Sequence, residues 1–209
     1  MGENASSAGN QQETRSSKRG SSETIRQTPT TKSEIIAYLN GALHDASLNK
    51  RKRIRFTQKN RQWLEKLQSL LQRIECNSWI YKEGKNRNVF VLETLCKDLD
   101  FAFNPTKLRT KNEKVCFIRG FFYAEGGIPH TTDRFYIQLV QKDYLKIKRL
   151  RNLLREIDIE TGIIHNPSKK KDPNYWRVFV STRCHKRFAE IVGSYHPVKI
   201  KILRGRMKI

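Results

Sequence analysis

An acidic residue lies at the end of a run of small and apolar residues in the second half of the chain. Glu125 belongs to the run Cys116–Gly127, read as CFIRGFFYAEGG, in which Cys116, Gly120 and Ala124 recur every four residues. Residues at this spacing share one helix face, and small ones there let two backbones pack closely. Because a carboxylate at a helix C-terminus opposes the helix dipole, a bound divalent cation would account for Glu125. An ordinary solvated acid beside a helix end is the alternative.

A similar run, LNGALHDAS, occupies residues 39–47 and contains Asp45. Here the acid follows Gly41 by four residues, whereas five separate the glycine and the acid of the other run. Aligning the two glycines puts Ala46 in the acid position, and aligning the two acids puts Asn40 at the glycine position. Asp45 is the best candidate for the second acid.

Two amphipathic helices repeat along the chain with a constant spacing. The run at 57–74, TQKNRQWLEKLQSLLQRI, matches VQKDYLKIKRLRNLLREI at 140–157 with an offset of 83 residues, so that Gln58 falls on Gln141. NPTKLR at 104–109 similarly resembles HPVKIK at 196–201. A duplicated unit of helix, strands, helix, hairpin and helix is the simplest interpretation. Chance similarity of two amphipathic helices is the alternative.

Other patterns predict the elements around these helices. A helix is expected to begin at Ser33, a plausible N-cap. Alternating apolar residues predict strands at 53–56, 79–81, 89–92, 135–139, 162–165 and 176–180. Short helices are predicted at 93–101 and through 188–192. The second half is expected to end soon after Lys201, with little room for a further helix.

The charge of the chain points to a polyanionic partner. It has 42 Lys and Arg against 20 Asp and Glu, a formal net charge of +22. The polar residues 1–32 contribute five Lys and Arg and three Glu, so that +20 belongs to the remainder. Such a domain repels itself unless it meets a polyanion, and DNA or RNA is the leading candidate. A ribosome-associated protein and simple solubility are the alternatives.

Cysteine usage and hydropathy indicate a reduced, intracellular setting. Four cysteines, none in a C-x-x-C pair, are few for a disulfide scaffold. No apolar run approaches the roughly 20 residues of a membrane span, and the N-terminus lacks an apolar segment of the signal-peptide type. We expect no membrane association and a cytoplasmic or nucleoid location in a bacterium or archaeon, with an organelle as the alternative.

CFIRGFFYAEGG resembles the second-motif helix of the LAGLIDADG homing endonucleases, and LNGALHDAS looks like a divergent first motif. The resemblance extends from Ser33 to the end of the chain. It implies an α+β fold with two pseudo-symmetric αββαββα units, whose central helix pair packs through Gly41 and Gly120. The sheets would form a concave antiparallel DNA-binding saddle. The corresponding domains are a disordered polar tail at 1–32 and two halves at 33–106 and 107–209.

The resemblance also implies site residues. Asp45 and Glu125 would be catalytic acids that bind Mg²⁺ or another divalent cation. Gln58 and Gln141 correspond to glutamines that hold water or phosphate near the family's active site, and polar residues at a helix entry are the alternative. The family's basic residue near each cleavage site is resembled by Lys199 or Lys201 and, through the repeat, by Lys107 or Arg109; plain phosphate contacts are the alternative.

DNA recognition is expected from the sheets, because a twisted antiparallel ribbon fits the major groove. Arginine can read bases there, whereas most lysines position the phosphate backbone. The candidate DNA contacts are Arg51, Arg53, Arg55, Lys82, Lys85, Arg87, Arg134, Gln138, Lys169, Lys170 and Lys171.

Together these features predict a monomeric, Mg²⁺-dependent endonuclease that cuts double-stranded DNA at a specific site, from a mobile intron or intein-like element. The alternative is a non-catalytic nucleic-acid-binding protein of the same fold, either an intron RNA maturase or a DNA-binding regulator. The position of Asp45 relative to Glu125 distinguishes the two functions. Adjacent acids at the ends of paired helices would favour the enzyme.

Overall fold

The computed structural model describes residues 28–50, 52–129 and 134–207. Most of the predicted tail therefore lies outside the described residues, and so does Arg51, one of the candidate DNA contacts.

Six α-helices and seven strands are present in the described residues. The helices are α1 (Lys32–Ala42), α2 (Arg61–Arg73), α3 (Lys111–Glu125), α4 (Tyr144–Glu156), α5 (His185–Ile191) and α6 (Pro197–Met207). The strands are β1 (Ala46–Asn49), β2 (Arg53–Gln58), β3 (Ser78–Lys82), β4 (Phe90–Thr94), β5 (Gly126–Gly127), β6 (Gln138–Gln141) and β7 (Trp176–Phe179). Within the described ranges, no helix has both the length and the apolar character needed to cross a bilayer.

The strands form two antiparallel sheets. The first sheet has the order β1-β2-β4-β3 and the second has the order β5-β6-β7. The amphipathic helices α2 and α4 each bury an apolar face, with Leu67 and Leu150 among its residues, in one continuous core. Both helices begin with a side-chain cap, from Asn60 and Asp143 respectively. The result is the expected α+β saddle, with a helix pair at its centre.

The central pair is formed by α1 and α3, and glycines bring them together. A β-carbon at Gly41 would overlap the backbone of Phe117 and Phe121, and one at Gly120 would overlap the backbone of Tyr38. Only glycine permits so close a crossing, and the reciprocal contacts reflect the pseudo-twofold axis between the halves.

The predicted helix at 93–101 is absent. Glu93 and Thr94 complete β4, and turns lead from there to a 3₁₀ turn at Pro105–Lys107. The segment contains good helix formers, but pairing of Glu93 and Thr94 with β2 outweighs local propensity at its start. The first half therefore lacks the final helix of the predicted unit.

Other boundaries also differ from prediction. Residues 162–165 form no continuous strand. This region is paired only through isolated bridges, from Thr161 to Val180 and from His165 to Arg177. β6 begins at Gln138 rather than at residue 135. The N-cap of α1 is Thr31 rather than Ser33, because the Thr31 hydroxyl and the Glu34 carboxylate cap each other's backbone.

The C-terminal region was wrongly expected to leave little room for a helix after Lys201. Helix α6 begins at Pro197, a residue suited to the first helical position, and runs to Met207. Lys199 and Lys201 both lie on this helix, so their directions are set by its rotation.

The expectation of reduced cysteines is wrong for one pair. Cys76 and Cys96 form a disulfide, with Cα atoms 5.3 Å apart. They meet because Ser78 pairs with Thr94 in the β3–β4 ladder, which brings the segments on either side of the hairpin together. The other two cysteines are free and buried.

Candidate active site

The two acids hold equivalent places in the two halves. The residue after Asp45 pairs with Phe56 of β2, and the residue after Glu125 pairs with Leu139 of β6. Phe56 and Leu139 are themselves related by the offset of 83 residues that links the repeats. Each acid therefore ends a central helix and precedes the first strand of its sheet.

A 3₁₀ turn at Leu43–Asp45 compensates for the shorter spacing in the first half. Such a turn rises about 2.0 Å per residue, against about 1.5 Å in an α-helix. The four residues from Gly41 to Asp45 end in this turn and therefore rise about 7.5 Å along the helix axis. The five α-helical residues from Gly120 to Glu125 rise by about the same distance. Asp45 thus reaches the height of Glu125 along the helix pair although one residue is missing.

Asp45 is held by Gln58, whose amide donates a hydrogen bond to its carboxylate. Gln58 is the last residue of β2 and alternates with Ile54 and Phe56, so its side chain is directed to the core side, where the helices end. Although Asp45 is exposed, desolvation raises the pKa of its carboxyl, while the Gln58 hydrogen bond and the charge of Lys199 act in the opposite direction.

Glu125 is half-buried. Burial raises the pKa of its carboxyl, the negative charge of Asp45 raises it further, and Lys199 and Lys142 lower it. Among the described residues, no hydrogen bond to this carboxylate is found. The two acids are therefore close enough to repel each other, and Glu125 has oxygen atoms free for a ligand.

Lys199 is the cation that acts on both acids. Its ammonium group donates hydrogen bonds to the carbonyl oxygens of Phe122, at 2.7 Å, and Tyr123, at 2.8 Å. Burial lowers the pKa of Lys199 to about 8, and the charges of both acids oppose this shift. Lys201 lies about 200° further around the helix and is exposed.

Lys107 is likewise exposed, in the 3₁₀ turn that follows the first sheet. Of the three candidate lysines, the structure brings only Lys199 to the acids. The sequence pattern could not distinguish Lys199 from Lys201, because the choice depends on how α6 is rotated.

The second glutamine has a different partner from the first. The amide nitrogen of Gln141 lies 2.9 Å from Nδ1 of His44, the residue before Asp45. Burial lowers the pKa of His44 to about 4, helped by the charge of Lys146, so the neutral ring can accept this bond. Sequence reasoning missed His44, whose position beside the first-motif acid is the one signal that could have revealed it.

The donor set fits a divalent cation such as Mg²⁺. Carboxylate oxygens are its preferred protein ligands, and Asp45 and Glu125 provide them from two helix ends. Burial and repulsion by Asp45 raise the pKa of Glu125, and a cation held by the two carboxylates would favour their ionised forms.

The candidate DNA contacts lie on the sheets and their loops. Of those in the first half, Arg53 is exposed and Arg55 half-buried on β2, and the hairpin residues Lys82, Lys85 and Arg87 are exposed. In the second half, Gln138 is half-buried on β6, and the exposed candidates lie in the loops that precede β6 and β7: Arg134, Lys169, Lys170 and Lys171. Exposed cations are therefore present in both halves, on the first sheet and its hairpin and in the loops of the second half.

Two glycine-packed helices, two antiparallel sheets and an acid at each helix end define a pseudo-twofold saddle protein within one chain. A family model described as a LAGLIDADG-like domain matches residues 43–101 and 112–193. The chain belongs to the LAGLIDADG family, as the two motif runs predicted. No curated protein matches it.

Solved structures show the same fold at low sequence identity. The homing endonuclease I-DmoI in complex with DNA and Ca matches with a TM-score of 0.62 at 20% identity, covering 84% of this chain and 100% of that chain. Its complex with DNA and Mn gives 0.59 at 21% identity, with coverages of 79% and 99%. Full-length DUF199/WhiA from Thermatoga maritima gives 0.62 at 18% identity, with coverages of 87% and 63%.

Proposed function

We propose that this chain is a Mg²⁺-dependent endonuclease that hydrolyses both strands of duplex DNA at a specific sequence. The observation that carries the proposal is the equivalent placement of Asp45 and Glu125 at the ends of the two central helices, within each other's electrostatic influence. Both acids come from one chain, so a monomer has the complete pair.

The surrounding residues have distinct roles in this proposal. Asp45 and Glu125 would hold the cation, and Gln58 fixes the orientation of the Asp45 carboxylate. When bound, Mg²⁺ activates a water molecule and neutralises charge on the phosphate oxygens. Lys199 stands beside the acids as a fixed cation that stabilises negative charge developing on the scissile phosphate.

Binding of duplex DNA is supported by the saddle and by its charge. The chain apart from residues 1–32 has a formal charge of +20, and exposed arginines and lysines lie on the first sheet and in the loops that precede β6 and β7. Each phosphate neutralised by such a residue releases counterions, so we expect affinity to fall steeply as salt rises. The complexes of I-DmoI with DNA and divalent cations are consistent with this mode of binding.

Selection of cleaved molecules from a randomised plasmid library tests the proposal directly. The protein is incubated with the library and Mg²⁺, and cut ends are captured and sequenced. We expect a recurrent cut site, loss of cutting when EDTA is added, and loss of cutting for Glu125→Gln. Cleavage by the wild type that is random in sequence, or that persists for Glu125→Gln, would contradict it.

A nucleic-acid-binding protein without nuclease activity is the second candidate. Two observations favour it: Asp45 is already bonded to Gln58, and Lys199 is bonded to two helix carbonyls. Sequence-specific binding without cutting in the same library would establish this function. Preference for structured RNA over duplex DNA would identify the partner as RNA.

A further inference from the structure

A buried carboxylate lies at the centre of the outer face of the first sheet, the face turned away from the helices. Glu93 is 2% exposed. Its oxygens accept hydrogen bonds from Asn49 at 3.2 Å, Arg53 at 3.2 Å and the Tyr81 hydroxyl at 3.0 Å, and Arg55 lies 3.8 Å away. All four partners belong to the three other strands of the sheet or their ends.

The register of the sheet places these groups on one face. Glu93 stands opposite Arg55 on one side and opposite Trp79 on the other. Its neighbour Leu92 points to the core and is fully buried. Glu93 is therefore covered by polar and aromatic side chains that themselves reach solvent. Its charge makes its contacts on the outer face and none in the hydrophobic core.

Glu93 remains ionised in this environment. Burial raises the pKa of its carboxyl, but the hydrogen bonds from Asn49, Tyr81 and Arg53 outweigh that effect and leave the pKa below its usual value. A buried charge without such partners would be costly, so the carboxylate and its partners fix one another.

The two arginines of β2 are oriented as well as charge-balanced. The Arg53 guanidinium lies over the Trp79 ring, 5.6 Å from its centroid, and Arg55 also pairs with Glu83. Two carboxylates thus balance two guanidinium groups on this face. Side chains held in this way lose little further entropy on binding, which favours selective contacts over general attraction to phosphate.

The second sheet differs at the equivalent position. Leu92 stands opposite Phe56, and Val178 stands opposite Leu139, so the residue equivalent to Glu93 is Phe179. Arg177 there lies over the rings of Phe179 and Tyr175, with no carboxylate to balance it among the described residues. The two sheets therefore orient their arginines by different means.

We propose that Glu93 is a specificity-determining positioning residue, which holds Asn49, Arg53 and Tyr81 against the base edges of the half-site that the first sheet covers. The inference rests on the proposed binding of duplex DNA. Arginine donors match the major-groove edge of guanine, and the asparagine amide matches adenine. The positions under this sheet should therefore be selected as guanine or adenine on the strand that these side chains contact.

Binding selection from a randomised duplex library, with wild type, Glu93→Gln and Glu156→Gln, tests the inference. Glu156 pairs with Lys114 near the opposite end of α3, so its variant loses the same charge and one ion pair away from the sheet face. Dissociation constants are then measured for the best wild-type duplex and for a scrambled duplex over a range of salt.

Glu93→Gln should lower the preference for the selected duplex over the scrambled one by about tenfold or more. The lost discrimination should be confined to one half-site, and affinity for the scrambled duplex should stay equal or rise because a negative charge is gone. Glu156→Gln should leave the preference unchanged. If Glu93→Gln does not fold, Tyr81→Phe takes its place in the experiment, because it removes one hydrogen bond to Glu93 but keeps the ring. Tyr81→Phe should reduce discrimination at the same positions.

Three outcomes would overturn the inference alone, while the wild type still selects a site. In the first, the preference of Glu93→Gln equals that of wild type. In the second, its affinities for both duplexes fall in parallel, as a structural role would give. In the third, discrimination is lost equally in both half-sites. A wild type that selects no duplex would instead overturn the proposed function, and this inference with it.

Discussion

The ammonium group of Lys199 donates a 2.7 Å hydrogen bond to the carbonyl oxygen of Phe122, in the last turn of α3. A helix C-terminus carries partial negative charge from its unpaired carbonyls, and Glu125 adds a full charge at the same place. Lys199 therefore balances the helix end and the acid together. The same contact joins α6 to the central helix pair.

Replacing Lys199 with methionine tests this arrangement. Methionine keeps much of the apolar stem and removes the cation, so we expect cleavage to slow by about 100-fold, the scale for loss of one group that stabilises transition-state charge. DNA affinity should fall far less, since one phosphate contact at most is lost. Single-turnover cleavage and binding assays separate the two effects. Lys201→Met is the matched control, because it removes an exposed lysine from the same helix, and equal loss in both variants would contradict the assignment.

Substitutions of the two acids should also affect DNA cleavage without weakening DNA binding. Glu125→Gln and Asp45→Asn keep side-chain size and remove the charge that would hold Mg²⁺, so cleavage should fall by orders of magnitude while affinity for DNA is unchanged or higher. Binding is measured in Ca²⁺ and in EDTA, and cutting in Mg²⁺. If Asp45→Asn cuts both strands at the wild-type rate, the first-motif acid has been misidentified.

Much of the architecture could be predicted from the sequence, because it depends on patterns within single elements. The offset of 83 residues revealed the duplicated helices, and Gly41 and Gly120 indicated the close helix pair. The position of Asp45 could not be decided in this way. It depends on a 3₁₀ turn that local propensity does not specify, and only the strand register shows that Asp45 and Glu125 are equivalent.

Glu93 shows a different limit of sequence reasoning. Its segment reads ETLCKDLDF, which favours a helix locally, yet Glu93 and Thr94 pair with β2 and β3 as the end of β4, and the rest of the segment forms turns. The partners of its carboxylate come from positions as far as 44 residues away in the sequence. Such a network becomes visible only when the strands are assembled, and the same is true of the Cys76–Cys96 disulfide.

The helix crossing predicts a large difference between chemically identical substitutions. Gly41→Ala and Gly120→Ala would each drive a methyl group into the backbone of the opposite helix, so the free energy of unfolding should fall by about 3 kcal/mol or more. Gly205→Ala, on α6, meets no atom within 4 Å and should raise stability by up to about 1 kcal/mol. Denaturant titration of the three variants measures the difference. Equal stabilities for Gly41→Ala and wild type would mean that the helices cross elsewhere.

The disulfide predicts that stability depends on the redox state of the hairpin. Cys76 and Cys96 are 20 residues apart, and closing a loop of that size stabilises a fold by about 3 kcal/mol. Reduction, or the double replacement of both cysteines by serine, should lower the free energy of unfolding by that order. Unfolding is followed with and without a dithiol reductant, and the serine variant should not respond to reductant at all. A response that survives in the serine variant would place the effect elsewhere in the chain.

The unequal partners of the two glutamines predict that a substitution at His44 slows the cutting of one DNA strand more than that of the other. Gln58 is bonded to Asp45, whereas Gln141 is bonded to His44, so the two halves of the site present their amides differently. His44→Phe keeps a ring against Phe121, with which His44 makes an edge contact, and releases Gln141. We expect one strand to be cut about as fast as in the wild type and the other more slowly, so that nicked plasmid accumulates before the linear form.

Gel analysis of supercoiled plasmid over time resolves the two cuts. Parallel slowing of both strands would mean that His44 supports the site as a whole, and an unchanged time course would mean that its bond to Gln141 has no part in the reaction.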